Sequence, residues 1–309
     1  MIKHYEGKLG VFDYNDEEFK IDKFGCLKYI GKGKSVDLPI GCINTSYMFY
    51  NCVLPEGFNL GNFDTSKVKY MDNMFMYCKL PEGFTLGDKF NTSNVENMCS
   101  MFYCTELSKD FTLGNKFSTS KVKDMSFMFC CCKFPEGFSL GNKFDTSNVK
   151  DMSWMFYNCK LPEEGFSLGN KFNTSKVEDM CSMFMGCKLP KGFTLGNKFD
   201  TSNVKDMSWM FSSCVLPERF TLGDKFDTSK VKYMDYMFKG CKIPKGFTLG
   251  DKFDTSNVKS MVGMFFSCDL PEGFLLGDKF DTSNIVDPFI FYNCKFPKGI
   301  TEESLLNNK

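Results

Sequence analysis

The order of apolar and polar residues along the chain repeats with a period of about 27 residues. Nine units open on the phenylalanines Phe58, Phe84, Phe111, Phe138, Phe166, Phe193, Phe220, Phe247 and Phe274. The steps between them are 26, 27, 27, 28, 27, 27, 27 and 27 residues. A fixed period in this range is typical of a solenoid, in which each coil buries its apolar residues against its neighbours.

The unit at residues 138–165 shows the elements predicted for one coil. Residues 138–140, Phe-Ser-Leu, predict a short strand with the serine facing outward. A turn follows at residues 141–142, and residues 145–148 offer side chains that cap a helix start. Five apolar residues then fall at helical spacing: Val149, Met152, Met155, Phe156 and Cys159. Pro162 ends the helix, so the sequence predicts an α/β solenoid of about nine coils, each with a short parallel strand and a short helix.

Four segments follow from this period: an N-terminal cap at 1–41, a partial coil at 42–57, nine coils at 58–299, and a polar C-terminal tail at 300–309. Residues 19–22 and 27–30 alternate like the two strands of a small hairpin, which we expect to form the cap. In the ninth coil, residues 285–291 have lost one residue and gained a proline. Such irregular ends are expected, because the terminal coils of a solenoid have one face in water.

Composition excludes several classes of partner. The chain has 38 basic and 38 acidic residues and a formal net charge of zero, so no nucleic-acid partner is expected. No stretch approaches the roughly 20 apolar residues of a membrane-spanning helix, and we expect no membrane insertion. The first twenty residues are polar and acidic and predict no secretory signal, which favours an intracellular protein or one whose leader has been removed.

Sixteen cysteines raise the question of disulfides or metal. Nine share one repeat position: Cys52, Cys78, Cys132, Cys159, Cys187, Cys214, Cys241, Cys268 and Cys294. Thr105 occupies the tenth equivalent position, so we interpret the column as buried, reduced thiols acting as small apolar groups that need no covalent partner. Neighbouring coils could just satisfy disulfide geometry, which stays an alternative. His4 is the single histidine and no C-x-x-C occurs, so no metal site is predicted.

No catalytic constellation is predicted. Carboxylates recur at one turn position, at Asp145, Asp200, Asp227, Asp254 and Asp281. A residue present in most units is best explained by a structural need common to them, here the turn and the cap. His4 has no evident triad partner, and no phosphate-binding glycine motif occurs. The repeated methionines and phenylalanines indicate core packing, so no cofactor is expected either.

One repeated position is predicted to face outward from the strand. It carries hydroxyl residues in seven units: Thr85, Thr112, Ser139, Ser167, Thr194, Thr221 and Thr248. Asn59 and Leu275 occupy it in the first and last units. The hydroxyls are either soluble residues that the strand tolerates, or a binding strip on the concave sheet face that would match a repetitive partner such as a glycan.

The phrase F-D-T-S-N-V-x-x-M-x-x-M-F-x-x-C, at residues 144–159 and 199–214, resembles the BspA-like leucine-rich-repeat surface proteins. It is most similar to the variant common in mycoplasmas and other AT-rich bacteria, and the resemblance covers residues 42–299. It implies a leucine-rich-repeat-like solenoid with a parallel sheet on one face, and a surface-exposed or host-interacting protein, often an adhesin. The longer coil, the phenylalanines in place of leucines and the lack of a visible leader depart from that pattern.

Three functions follow as hypotheses. The first is a non-enzymatic scaffold that binds a protein or a glycan through its sheet face, at the cell surface or against a host. The second is an intracellular structural or assembly protein made of side-by-side solenoids. The third is a thiol-based metal-binding protein, for which the abundance of cysteine is the motivation.

Overall fold

The computed structural model describes residues 1–285 and 289–307. Within them the regular elements are β1 (Ile2–Gly7), β2 (Gly10–Asn15), β3 (Phe19–Ile21), β4 (Leu27–Tyr29) and α1 (Glu302–Asn307). The short helix α1 lies in the segment predicted as a polar tail. The irregular ninth coil predicted at residues 285–291 falls partly outside the described residues.

Two antiparallel hairpins precede the repeats. In the first, β1 pairs with β2 and the rings of Tyr5 and Phe12 stack at 5.1 Å. In the second, β3 pairs with β4 and places Phe19 opposite Tyr29. This second hairpin lies where the alternation predicts one. The amide of Tyr29 donates to the carbonyl of Met48 at 2.8 Å, so the hairpin continues directly into the hydrogen bonding of the first coil.

The repeats form coils that stack in parallel. Parallel bridges join equivalent residues of successive coils along two lines, one of which runs through Asn44, Tyr70, Asn97, Asp124, Asp151, Asp179, Asp206, Tyr233 and Ser260. The other line includes Lys188, Val215 and Lys242. Neighbouring backbones are therefore in direct hydrogen-bond contact along these two lines, at a spacing of about 4.8 Å.

The helix predicted in each coil does not form within the described repeats. Over residues 152–159, alternate amides bond to the next coil and inside their own coil. Tyr157 N donates to Trp154 O at 3.1 Å, whereas Trp154 N donates to Cys181 O at 2.8 Å. Trp154 and Asn158 have φ angles of 60° and 51°, which an α-helix excludes. The segment is thus a series of tight turns, and the α/β assignment fails at its helix.

Apolar residues at helical spacing do not prove a helix, because a series of tight turns also places these side chains on one side of the chain. A helix satisfies its amides within the segment, four residues apart. In these coils half of the amides instead have partners in the neighbouring coil, which exists only once the chain has folded. The apolar residues predicted to face the core, such as Val149, Met152 and Phe156, are fully buried, as expected.

The strand predicted at residues 138–140 is not a regular strand either. Its burial alternates as predicted, since Phe138 and Leu140 are buried and Ser139 is exposed. The parallel bridges nevertheless lie elsewhere in the coil, at residues such as Asp151 and Lys160. Among the described units, this segment is bridged only at Asn59 in the first one.

Columns of aromatic rings fill the interior. Ten phenylalanines stack face to face at 5.2–5.9 Å: Phe49, Phe75, Phe102, Phe129, Phe156, Phe184, Phe211, Phe238, Phe265 and Phe291. Their exposure is at most 1%. Burying one such side chain contributes about 2–3 kcal/mol, and each aromatic contact adds about 1 kcal/mol. The core is therefore continuous along the stack.

The spacing of stacked rings differs between the columns of the core. Equivalent rings in successive coils are almost parallel, and the distance between their centroids can be compared from column to column. Phe156 and Phe184, on the hydrogen-bonded side, are 5.6 Å apart. Phe144 and Phe172 are 6.4 Å apart, and the column that contains Phe138 has spacings of 6.3–6.4 Å. The rings near the Phe-x-Leu segments are therefore more widely spaced than those on the hydrogen-bonded side.

Buried threonines tie neighbouring coils together. Thr65, Thr119, Thr146, Thr174, Thr201 and Thr228 are completely inaccessible to solvent. The hydroxyl of Thr228 donates to Asp254 O at 2.8 Å and accepts from Asp254 N at 2.7 Å. A single hydroxyl therefore satisfies both backbone groups of a residue in the next coil, as buried polar groups require.

We expect Thr228→Val to destabilise the protein by about 2–3 kcal/mol, because it leaves the amide of Asp254 without a partner. Thr119→Val is the matched control: Thr119 donates to Asp145 O at 2.8 Å, but Asp145 N bonds to Lys143 O at 2.9 Å and keeps that bond. The free energy of unfolding of the control is expected to fall by about 1 kcal/mol. Urea unfolding midpoints measure both variants, and equal losses would contradict this role of the hydroxyl.

Candidate functional site

The seven predicted hydroxyl residues all lie on the surface. We call them the hydroxyl strip: Thr85, Thr112, Ser139, Ser167, Thr194, Thr221 and Thr248, each of which is exposed between a buried Phe and a buried Leu. Ser139 Oγ accepts a hydrogen bond from Gly141 N at 3.1 Å. Thr221 and Thr248 flank a shallow depression that Asp224 and Lys252 also line.

The hydroxyl strip lies on the wide side of the stack. Its neighbouring phenylalanines repeat every 6.3–6.4 Å, the wide spacing found away from the bridges. The prediction that these residues lie on a sheet face needs correction, because the parallel bridges that join the coils lie elsewhere. The strip is a row of exposed hydroxyls, one per coil, away from the residues that form the bridges.

Four carboxylates form a column on the hydrogen-bonded side. Asp124, Asp151, Asp179 and Asp206 belong to successive coils and are joined by parallel bridges; we call them the aspartate column. Each Oδ1 accepts the amide of the residue two positions later, at 2.8–2.9 Å. Among the described residues none of the four has an ion-pair partner.

Asp179 sits unfavourably as an anion. Burial raises the pKa of its carboxyl from 3.8 to about 6, the amide of Cys181 opposes the shift, and Asp151 and Asp206 add to it. The folded-state pKa is above the unfolded one, so the folded protein binds the proton more tightly. The contribution of this carboxyl to stability is therefore greatest below a pH of about 4 and falls as the pH rises toward about 6.

We expect Asp179→Asn to stabilise the protein at neutral pH by about 1 kcal/mol, after allowance for solvent screening. The benefit should vanish below a pH of about 4, where the wild-type carboxyl is neutral in both states. Asparagine suits the site, because Asn97 occupies the same position in another coil and accepts the amide of Cys99 at 2.8 Å. Thermal melting against pH measures the effect, and a benefit that does not depend on pH would contradict this explanation.

The turn carboxylates have the structural role that was predicted for the turn. Oδ1 of Asp145, Asp200, Asp227, Asp254 and Asp281 each accepts the amide of the serine two residues later, at 2.9–3.0 Å. In the part of the chain that the structure describes, no helix starts at these residues, so they stabilise turns rather than cap helices. His4, on β1, pairs with Asp13 on β2 at 2.7 Å, and both side chains are exposed.

A row of aromatic side chains next to the aspartate column escaped the sequence analysis. We call it the aromatic stripe: Tyr47, Tyr50, Tyr77, Tyr103, Phe127, Trp154, Tyr157, Trp209, Tyr236 and Phe266. All are half-buried or exposed. Neighbouring rings make contact, for example Phe127 with Trp154 at 5.5 Å and Trp209 with Tyr236 at 4.3 Å. The available signal was that tryptophan recurs at a single non-core repeat position, in coils two apart.

The cysteine column has a shared hydrogen-bonding role. Each thiol from Cys132 to Cys294 donates to the carbonyl of the core phenylalanine in the preceding coil, at 2.7–2.9 Å. Thr105 donates to Phe75 O in the same way, at 2.6 Å. The position thus carries a small donor in these coils, which the interpretation as apolar groups missed. Burial raises the pKa of the Cys187 thiol to about 12, which suppresses the thiolate.

We expect Thr105→Val to destabilise the protein by about 1 kcal/mol, because valine has the same shape as threonine but no hydrogen-bond donor. Thr105→Cys is the control and should be nearly neutral, since cysteine fills this position in the other coils. Urea unfolding midpoints provide the measurement. If valine were tolerated as well as cysteine, the position would require only small size.

Two further observations concern the described residues alone. No group of three or more His, Cys, Asp and Glu side chains among them is arranged to hold a metal ion. None of the helices in the same part of the chain is long and apolar enough to cross a membrane.

The geometry defines a repeat protein of stacked coils with periodic surfaces. The chain belongs to the family described as Mycoplasma protein of unknown function, DUF285. The family model matches four overlapping segments of the chain, residues 43–167, 136–243, 163–272 and 194–296. No curated protein and no solved structure matches the chain significantly.

Proposed function

We propose that the protein is a non-enzymatic binding scaffold that contacts a protein or a glycan through the hydroxyl strip. The observation that carries this proposal is the regular exposure of seven hydroxyls, one per coil, on a continuous core. A rigid base lowers the entropic cost of binding, because the contact residues are ordered beforehand. Repeated hydroxyl groups suit a partner that itself repeats.

The resemblance to the BspA-like leucine-rich-repeat proteins supports a role at the cell surface or against a host. That resemblance rests on the Met-x-x-Met-Phe-x-x-Cys phrase. In this chain the same residues build the core and its hydrogen bonds, so the phrase itself supports the scaffold. The partner is contacted by residues outside the phrase, among them the hydroxyl strip.

The double variant Thr194→Lys and Thr221→Lys tests the hydroxyl strip. Both side chains point to solvent, so the fold should persist, whereas two long cations should block a flat contact and reduce binding at least tenfold. A glycan array and immobilised host-cell surface proteins, probed with wild type and variant at equal concentration, provide the measurement.

Asn148→Lys combined with Asn257→Lys is the matched control. It adds the same charge elsewhere in the coil, at a position where Lys121, Lys176 and Lys230 occur naturally. The control should bind as wild type does. If the threonine variant kept full binding, or if both double variants lost it equally, the hydroxyl strip would not be the contact surface.

A further inference from the structure

The aromatic stripe is built on backbone positions that disfavour aromatic residues. Tyr47, Phe127, Trp154, Trp209 and Tyr236 have φ angles of 56–62°, in the left-handed region. A side chain other than glycine or asparagine costs about 1–2 kcal/mol there. Asparagine and glycine do occur at this position in other coils, as Asn73 and Gly263, with φ angles of 56° and 58°. The large rings are therefore not explained by backbone stability.

At both ends of the aromatic stripe, the chain's own lysines lie over the rings. Lys28 Nζ is 5.1 Å from the ring centroid of Tyr50. Lys239 Nζ lies 5.0 Å from Trp209, 5.2 Å from Tyr236 and 5.3 Å from Phe266. These distances are within the range of cation–π attraction. The stripe thus holds ammonium groups by means of its ring faces.

The centre of the aromatic stripe has rings without such a lysine. Phe127 and Trp154 stack at 5.5 Å with planes 11° apart, and Trp154 contacts Tyr157 at 4.8 Å. Among the described residues, no lysine lies over any of these three central rings. In coil order, Cys130 and Tyr157 stand where Lys239 stands in its own coil. The centre therefore has the same aromatic faces but no internal cation.

The aspartate column runs beside these central rings. Asp124 and Asp151 precede Phe127 and Trp154 by three residues, and the column continues through Asp179 and Asp206 in the next two coils. The four carboxylates have no ion-pair partner among the described residues, although the whole chain has a net charge of zero. Carboxylates without an ion-pair partner among the described residues thus lie close in sequence to aromatic faces that can bind cations.

We propose that the central rings and the aspartate column together bind a cationic segment of a partner protein, rich in arginine or lysine. Its cations stack on Phe127, Trp154 and Tyr157 while the aspartate column balances their charge. Arginine suits both the central rings and the aspartate column, because its planar guanidinium stacks on rings and pairs with carboxylates. This surface is on the hydrogen-bonded side of the coils, so it is independent of the hydroxyl strip.

The test uses a fluorescein-labelled oligo-arginine peptide and the full chain, with fluorescence anisotropy as readout. We expect Trp154→Asn to weaken binding about fivefold, the worth of roughly 1 kcal/mol from one ring. An oligo-glutamate peptide should not bind. Asn73 shows that the coil accepts asparagine at this position and φ, so the variant is expected to fold.

Trp209→Asn is the matched control, at the equivalent position with a φ of 62° against 60°. Lys239 already occupies the face of Trp209, so binding should change less than twofold. Lys239→Met should instead strengthen binding about twofold or more, because it frees three rings; Met185 occupies that position two coils earlier. Equal losses in the two tryptophan variants, or no loss in Trp154→Asn, would overturn the proposal.

A second measurement leaves the central rings unaltered. Trp154 and Trp209 are the two tryptophans of the chain, so Trp154 is the sole tryptophan in Trp209→Asn. Saturating oligo-arginine should change its emission, and unchanged emission would refute contact at the central rings. The Thr194→Lys and Thr221→Lys variant should bind the peptide as wild type does, which separates this surface from the hydroxyl strip.

Discussion

The structure depends on backbone amides that alternate between two kinds of partner. Along the Met-x-x-Met-Phe-x-x-Cys segment, one amide closes a turn within its own coil and the next donates to the neighbouring coil. Each coil is thereby held at hydrogen-bonding distance from its neighbours along the whole of this segment. Left-handed residues such as Trp154 and Asn158 make this alternation possible. The buried threonine and cysteine donors add to it, because each also bonds a backbone carbonyl of a neighbouring coil.

Because the coils stack regularly, exposed residues at the same repeat position form a line along the stack. The hydroxyl strip lies where the neighbouring core rings are about 6.3 Å apart. The aromatic stripe and the aspartate column lie on the closely spaced side, where bridges join the coils. The two sides thus offer different spacings and different chemistry: neutral hydroxyls on one, rings and carboxylates on the other. One chain can present two separate periodic surfaces because its core, continuous between them, keeps both in place.

Much of the candidate site could be predicted from the alternation of apolar and polar residues alone. The outward position of Thr194 and Thr221 needed only the buried residues on either side of each, and the buried methionines needed only the period. The aromatic stripe was missed because its residues differ between coils, from Phe127 to Trp154 to Ser182, so no single letter marks the position. The donor role of Thr105 was also missed, because the carbonyl it contacts belongs to another coil, thirty residues earlier.

The sequence by itself determined the period, the number of repeating units and which side chains enter the core, since each of these depends on the order of residues within one unit. Only the tertiary structure decided the backbone conformation. An apolar spacing of 3, 3, 1 and 3 residues suits a helix and a series of turns equally well. The choice is made by the neighbouring coil, whose carbonyls accept half of the amides that a helix would have bonded internally.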